Sequence, residues 1–536
     1  MVKRLPFVFA VVLFLLLTVV PLLFTFFSSF YPDGHFSLKN YETICNAEKL
    51  LLLSKSCLTA AAVAAISTVL GAALAWMISK TDVPFPAFFK LAFLLPLFIS
   101  PYYFSVAWKD VFSLLGISNL QGKNWILIFI HTLCFFPLPL IVISSALANI
   151  NRTVAEAGLL MASKRRVLFS LELPLARHAF FSSFILVFIL SVSEVAVATY
   201  FLVPSFASDI FIQFAAYYNH EAAIASSLLL VLLCFALLAL EYSYLMKAPF
   251  LSIGTQGNPV KKYQLKTFRA PSALLLLFLY SIITLLPVLS LGIQAFKAPP
   301  ELTQVRSEII QTEGGGQTGY YVLKAFELLK PAIPESLLYA ALGAFAICAA
   351  GFTFAYFSVR KGNVFFDFIL LAVFAVPATV FGIGLIKFYN RPVLDFFYSS
   401  FAIIVIAYAG RFTFIASKII SHAIGKIPYS IEEAAMINGA GVSQRFLKIL
   451  LPLISEGLFA AFIISFIFCL SEVGTTIVVY PPGSSLLPVK IATAMHSTPS
   501  ELMSAMVFIA MGVTLAVLAL LFAAYHLLAK KKAWQQ

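Results

Sequence analysis

The chain has 536 residues, of which 61% are hydrophobic and 11% charged, and its mean hydropathy is +0.97. A water-soluble domain carries about 25% charged residues, so this composition excludes a soluble globular protein and calls for one that crosses a bilayer repeatedly. The formal charge of +13 then reads as topology information, because lysine and arginine collect on the inner side of a membrane, and no nucleic-acid partner is expected.

Crossing the hydrocarbon core takes about 20 apolar residues per helix. In chain order the first half offers spans near 6–29, 51–78, 88–107, 125–148, 179–203 and 222–246. The second half offers spans near 271–293, 336–358, 365–386, 400–422, 456–480 and 502–528. The first run follows Lys3 and Arg4, continues to Phe30 and lacks a small-residue cleavage site, so it is a span and not a signal peptide. The expected fold is an all-α integral membrane protein of about twelve helices in two parallel six-helix repeats. The repeats cover 1–250 and 271–536, joined by a linker at 251–270 that contains Gly254, Gly257 and Pro259.

Basic residues orient the spans. Lys80, Lys90, Arg152, Lys164, Arg165, Arg166 and Arg177 fall on one side, with Lys261, Lys262, Arg360, Lys361, Lys426, Arg445 and Lys448. That side is the cytoplasm, with both termini inside. Segments 31–50 and 294–335 lie outside, the latter a flexible loop with Gly314-Gly-Gly316 and some surface helix.

Two polar helix–turn–helix segments interrupt the apolar pattern, near 150–178 and 427–455. In the second, Ser430 and Glu433 read as a capping box at a helix start. Gly439 and Gly441 follow where a turn needs positive φ or close approach, and Pro452 opens the next helix. In the first, Thr153 and Glu156 stand 277 residues before Ser430 and Glu433, and Pro174 stands 278 before Pro452. A repeat this long reads as two homologous membrane halves in one chain.

These residues resemble the loop signature of ABC importer permeases: Glu-Ala-Ala, then Gly, then Ile-x-Leu-Pro. Glu433, Ala434, Ala435, Gly439, Ile449, Leu451 and Pro452 match every defined position. The first copy keeps Glu156, Ala157, Leu173 and Pro174, but Gly158 replaces an alanine, Ala162 replaces the glycine, and Glu172 stands near the isoleucine position. The resemblance implies that each loop is a coupling element docking on a separate ATP-binding cassette subunit, two copies per transporter. A periplasmic or lipoprotein substrate-binding protein would deliver cargo in the bacterial inner membrane. The residues themselves allow a plainer role, in which Glu156 and Glu433 only cap their helices.

Glu194 and Glu472 lie 278 residues apart in spans. A carboxylate there is costly and faces a cavity or a partner. The two line the pathway, or they hydrogen-bond Ser193 and Ser471. Arg411 pairs with an acid or snorkels to the interface. His131 is a packing residue, and Tyr102-Tyr103 and Tyr217-Tyr218 form interface belts. Cys134, Cys234, Cys348 and Cys469 are small buried hydrophobes, while Cys45 and Cys57 are either free thiols or a disulfide.

No metal-ligand spacing, cofactor motif or catalytic cluster is present. Gly314–Gly319 lacks the Lys-Ser/Thr ending of a P-loop, so the chain is read as a transport subunit and not an enzyme. Thr475 through Gly483 and Leu487-Pro-Val-Lys-Ile resemble the outer loop of the ferric-iron branch of fused double permeases. That similarity implies ferric iron as substrate, with thiamine, polyamine or phosphonate as alternatives. The rival reading is an ion-gradient-driven secondary transporter, which can also have six-plus-six repeats.

Overall fold

Four of the long apolar helices carry a proline near a local widening of the helix. A proline lacks the N–H and crowds the carbonyl one turn back, and a π-turn relieves that clash. Widened turns at Leu15–Val19, Leu168–Glu172, Ser281–Leu285 and Arg445–Leu450 directly precede the turns that hold Pro21, Pro174, Pro287 and Pro452. The spans that hold Pro21, Pro287 and Pro452 therefore continue where a strict α-ladder would break, whereas the helix at Pro174 stops at Leu175 and bends by 57° into Arg177–Ser193.

A computed structural model describes residues 5–31, 35–37, 41, 46–148, 150, 157–158, 160–246, 263–297, 319–362, 364–495 and 497–533. The described residues are helical, with one isolated β-bridge between Thr81 and Tyr263. Among them, eight helices are long and apolar enough to cross a membrane, or up to twelve if each of four bent pairs is one span. The protein is thus an all-α, multi-pass membrane protein.

The sharpest breaks fall in two predicted spans, and a milder bend of 43° splits the span near 125–148 into Asn124–Phe135 and Pro137–Ala148. Near 88–107 the chain forms Pro86–Phe98 and Pro101–Leu114, bent by 100°, and near 365–386 it forms Phe365–Ala375 and Ala378–Tyr389, bent by 95°. Pro101 and Pro377 explain both bends. Ser100 is extended, with ψ of 136°, because a residue before proline avoids the helical region. Pro377 is itself extended, with ψ of 140°, and having no N–H it cannot continue the preceding ladder and stands at the cap of the next helix. The first bend also overturns the interface-belt expectation for Tyr102 and Tyr103, which are buried, whereas Tyr217 and Tyr218 are exposed.

The chain divides into two compact units that do not follow its halves. One holds Met1–Glu42, Gln213–Leu228 and Ala295–Gln536, and the other holds Thr43–Ile212 and Leu229–Gln294. In the first, Ala332–Lys361 packs along Ala402–Gly425 and Val442–Ser471. The opening helix of the chain joins this unit, with Val11 and Phe14 packed on Phe354, Phe357 and Leu370. In the second, Ala47–Lys80 packs against Asn124–Phe135, Pro137–Ala148 and Arg177–Ser193. Gly71 sets that contact, because a Cβ there would meet Leu140 N and Phe136 O at 2.8 Å. Cys134, Cys234, Cys348 and Cys469 are buried and Cys57 is half-buried, while Cys45 lies outside the described residues.

Candidate functional site

The second polar loop forms the helix Tyr429–Ile437. Its start differs from the predicted capping box. Pro428 occupies the cap position with φ −58° and ψ 136°, and no side chain caps the helix. Ser430 is consequently the second helical residue, past the place from which a hydroxyl reaches the orphan amides, and Glu433 is exposed.

The helix end matches expectation. Gly439 has φ +79°, Gly439 N–H donates to Met436 O at 3.0 Å and Ala440 N–H donates to Ala435 O at 2.9 Å. This is a Schellman stop, which favours glycine because the left-handed residue carries no Cβ strain. Gly441 is extended, and its N–H donates to Gln444 Oε1 at 3.2 Å as the next helix begins. Glu433, Ala434, Gly439, Gly441 and Pro452 are exposed and Ala435 is half-buried. Between them Ile437 is 87% exposed.

In the first loop Thr153 and Glu156 lie outside the described residues. Ala157 is exposed and Gly158 and Ala162 are half-buried, with Ala162 N–H donating to Gly158 O at 2.9 Å. Gly158 faces Leu171 and Val167, which leave a Cβ only 3.1 to 3.4 Å. Pro174 is exposed. Leu160 is 89% exposed and stands 277 residues before Ile437, the same offset that relates the two loop motifs. Each loop thus presents a bare aliphatic side chain at the corresponding place, and the first also bares Met161, 91% exposed beside Leu160.

Both loops are tied down at their bases by groups that the motif does not include. Glu432, beside exposed Glu433, is buried; its Oε1 lies 2.8 Å from Arg360 Nε and its Oε2 accepts from Tyr356 Oη at 3.2 Å. In the other unit, buried Glu172 lies 3.3 Å from Lys80 Nζ and accepts from Tyr263 Oη at 3.3 Å. Burial, followed by the charge of Glu172, pushes the Tyr263 phenol up to about 12, so it remains a donor. In the sequence Lys80 and Arg360 stand out only as topology markers. The available signal was that both end the second span of their half, 280 residues apart; Tyr263 had none.

Glu194 and Glu472 sit where their helices stop. The predicted spans near 179–203 and 456–480 end at Ser193 and Ser471, and both glutamates are extended, with ψ of 129° and 113°. Glu194 Oε1 accepts from Ala196 N–H and Oε2 from Val197 N–H, each at 2.9 Å. Glu472 Oε1 accepts from Thr475 N–H at 2.8 Å. Each carboxylate serves the orphan amides of the short helix that follows, Ala196–Tyr200 or Thr476–Val479. The alternative with serine is not formed at Ser471, whose hydroxyl donates to Ile467 O at 2.8 Å.

His131 is a buried packing residue with both nitrogens engaged, to Ser191 Oγ at 2.9 Å and Glu194 Oε2 at 3.2 Å. These groups, with Lys55, Asn124 and Ser205, line a small polar cavity of about 20 Å³. Arg411 is buried and does not snorkel, and among the described residues it forms no direct ion pair. Its Nη1 donates to Phe374 O at 3.2 Å and Val376 O at 2.7 Å, the carbonyls orphaned by the 95° bend. Among the described residues no three His, Cys, Asp or Glu side chains form a metal-binding group.

Residues 346–534, which hold the second polar loop, match the family of binding-protein-dependent transport system inner membrane components. Over most of its length the chain is similar to ferric transport system permease proteins. It is 22% identical to the Fe(3+)-transport system permease protein FbpB 2 of Haemophilus influenzae, covering 86% of this chain and 87% of that one. It is 24% identical to the ferric transport system permease protein FbpB of Actinobacillus pleuropneumoniae, covering 86% and 69%. It is also 24% identical to the putrescine transport system permease protein PotI of Escherichia coli, over 50% of this chain and 94% of PotI.

Proposed function

We propose that this chain is the whole transmembrane part of an ATP-driven importer in a bacterial inner membrane. Two six-span halves lie in parallel, with both termini and both polar loops in the cytoplasm. The observation that carries this reading is the pair Leu160 and Ile437, each almost fully exposed at matching places in loops that bear the permease signature. A bare aliphatic side chain on a polar, small-residue helix is the form of an interface anchor. Two such anchors suit two ATP-binding cassette subunits, which would supply the hydrolysis. Glu156 and Glu433 border that interface, and Ala157, Gly158, Ala162, Pro174, Ala434, Ala435, Gly439, Gly441 and Pro452 shape it. Glu194 and Glu472, at the helix breaks, line the pathway, and a substrate-binding protein delivers cargo to the outer face.

Ferric iron is the proposed cargo. Its support is that the ferric permeases align over both halves, whereas PotI aligns over one half-length. Thiamine, polyamine and phosphonate are the other substrate classes to compare. Tagged purification from mildly solubilised membranes tests the reading: an ATP-binding subunit should copurify, and the double variant Leu160→Asp/Ile437→Asp should lose it. A chain that purifies alone, with transport that survives ATP depletion but not collapse of the ion gradient, would instead indicate a secondary transporter.

A further inference from the structure

We propose that the two buried triads, Arg360–Glu432–Tyr356 and Lys80–Glu172–Tyr263, are positioning elements that hand the motion of each loop to one long helix. The inference rests on the importer reading above and adds the route by which docking would be transmitted.

In the first triad the carboxylate belongs to the loop helix Tyr429–Ile437, one residue from exposed Glu433. Its partners lie on Ala332–Lys361, a helix of 30 residues and hence about 45 Å in length at 1.5 Å per residue. Arg360 also donates from Nη1 to Ile427 O at 3.1 Å, and its guanidinium lies 5.5 Å from the Tyr429 ring. One arginine therefore grips the loop on both sides of Pro428. In the second triad Glu172 is on the loop and Lys80 is the last residue of Ala47–Lys80. The tyrosine comes from the segment between the halves, stitched to the same helix end. Tyr263 N–H donates to Lys80 O at 2.7 Å, Asp82 N–H to Tyr263 O at 3.2 Å, and Leu265 N–H to Asp82 Oδ1 at 2.8 Å.

The two devices are not one inherited contact. Glu172 and Glu432 are 260 residues apart, against 277 for the loop motifs, and the tyrosines come from different elements. The basic residues Lys80 and Arg360 stand at corresponding helix ends, but the carboxylate and the tyrosine that meet each of them come from non-corresponding positions. A buried ion pair is an inefficient way to gain stability, since desolvation offsets its attraction. It is an effective way to fix direction, because displacement of either partner leaves an uncompensated buried charge. A contact of this kind resists sliding and moves as a body.

The test uses the complete transporter in nanodiscs, with hydrogen–deuterium exchange measured with and without ATP and vanadate. In wild type, trapping should change exchange at the ends of both Ala332–Lys361 and Ala47–Lys80. Glu432→Gln should reduce the response of Ala332–Lys361 about tenfold and leave Ala47–Lys80 responding, and Glu172→Gln should do the reverse. ATP hydrolysis and recovery of the ATP-binding subunit should stay near wild type, and Arg360→Lys should retain most of the response. Tyr356→Phe and Tyr263→Phe remove only a hydroxyl and give the same pattern in weaker form if a glutamine variant fails to fold. Unchanged responses, or equal loss at both helices, would overturn the proposal. No ATP-binding subunit in the wild-type preparation would instead remove the importer reading, and the coupling role with it.

Discussion

At the residue scale the chain places its charged groups where the backbone has lost its own partners. Glu194 holds two amides and an imidazole at once. Glu194→Ala should therefore cost about 1–3 kcal/mol from unsatisfied buried groups, read as a lower thermal midpoint in detergent. Glu194→Gln keeps the acceptor and should lose less. Ile437 makes the opposite case, since it satisfies nothing within its own unit. Ile437→Asp should leave the thermal midpoint unchanged and weaken the ATP-binding subunit by about 2 kcal/mol, roughly thirtyfold in Kd. A titration of purified permease with that subunit checks it. Gly439, at φ +79° with open space around it, should accept asparagine and resist valine, because a β-branched residue is strained there. Melting of the two variants separates them.

At the element scale, prolines decide where helices bend and a few polar side chains make the bends tolerable. The 95° bend after Ala375 frees buried carbonyls, and Arg411 binds them. Arg411→Met preserves bulk but removes the donors, so it should destabilise the fold by about 1–3 kcal/mol. Arg411→Lys, with one charged donor group, should recover part of that in the same melting assay. Helix packing sets its own limits. Gly71→Val would drive side-chain carbons into the backbone of Phe136 and Leu140, and overpacking against atoms that cannot rotate away costs about 1–3 kcal/mol or more. Protease resistance of membranes containing the variant should fall.

At the scale of the whole molecule, the compact units exchange the opening helix of each half. Met1–Glu42 belongs with Ala295–Gln536, and residues up to Gln294 belong with Thr43–Ile212. Neither 1–262 nor 263–536 expressed alone then holds a complete unit. Each should be degraded in the membrane, and coexpression should restore both, as immunoblots of pulse-labelled cells would show.

Membrane residence, the approximate places of most helices and the turn at Gly439 were legible in the sequence. Hydropathy over about 20 residues is a local property set by solvent, and Gly439, Gly441 and Pro452 mark a turn through their own backbone limits. The helix start at Tyr429 was misread because Ser430 and Glu433 fit a capping pattern while Pro428 held the position. Other features could not be read in this way. That Glu432 and not Glu433 is buried, that Tyr263 reaches Glu172, that Arg411 caps a bent helix, and that the opening helices change places all depend on partners tens or hundreds of residues away. The sequence by itself determined which segments must leave water and where the chain can turn. Only the tertiary structure decided which buried charge meets which orphaned group, because that pairing is a matter of distance in space and leaves no periodicity along the chain.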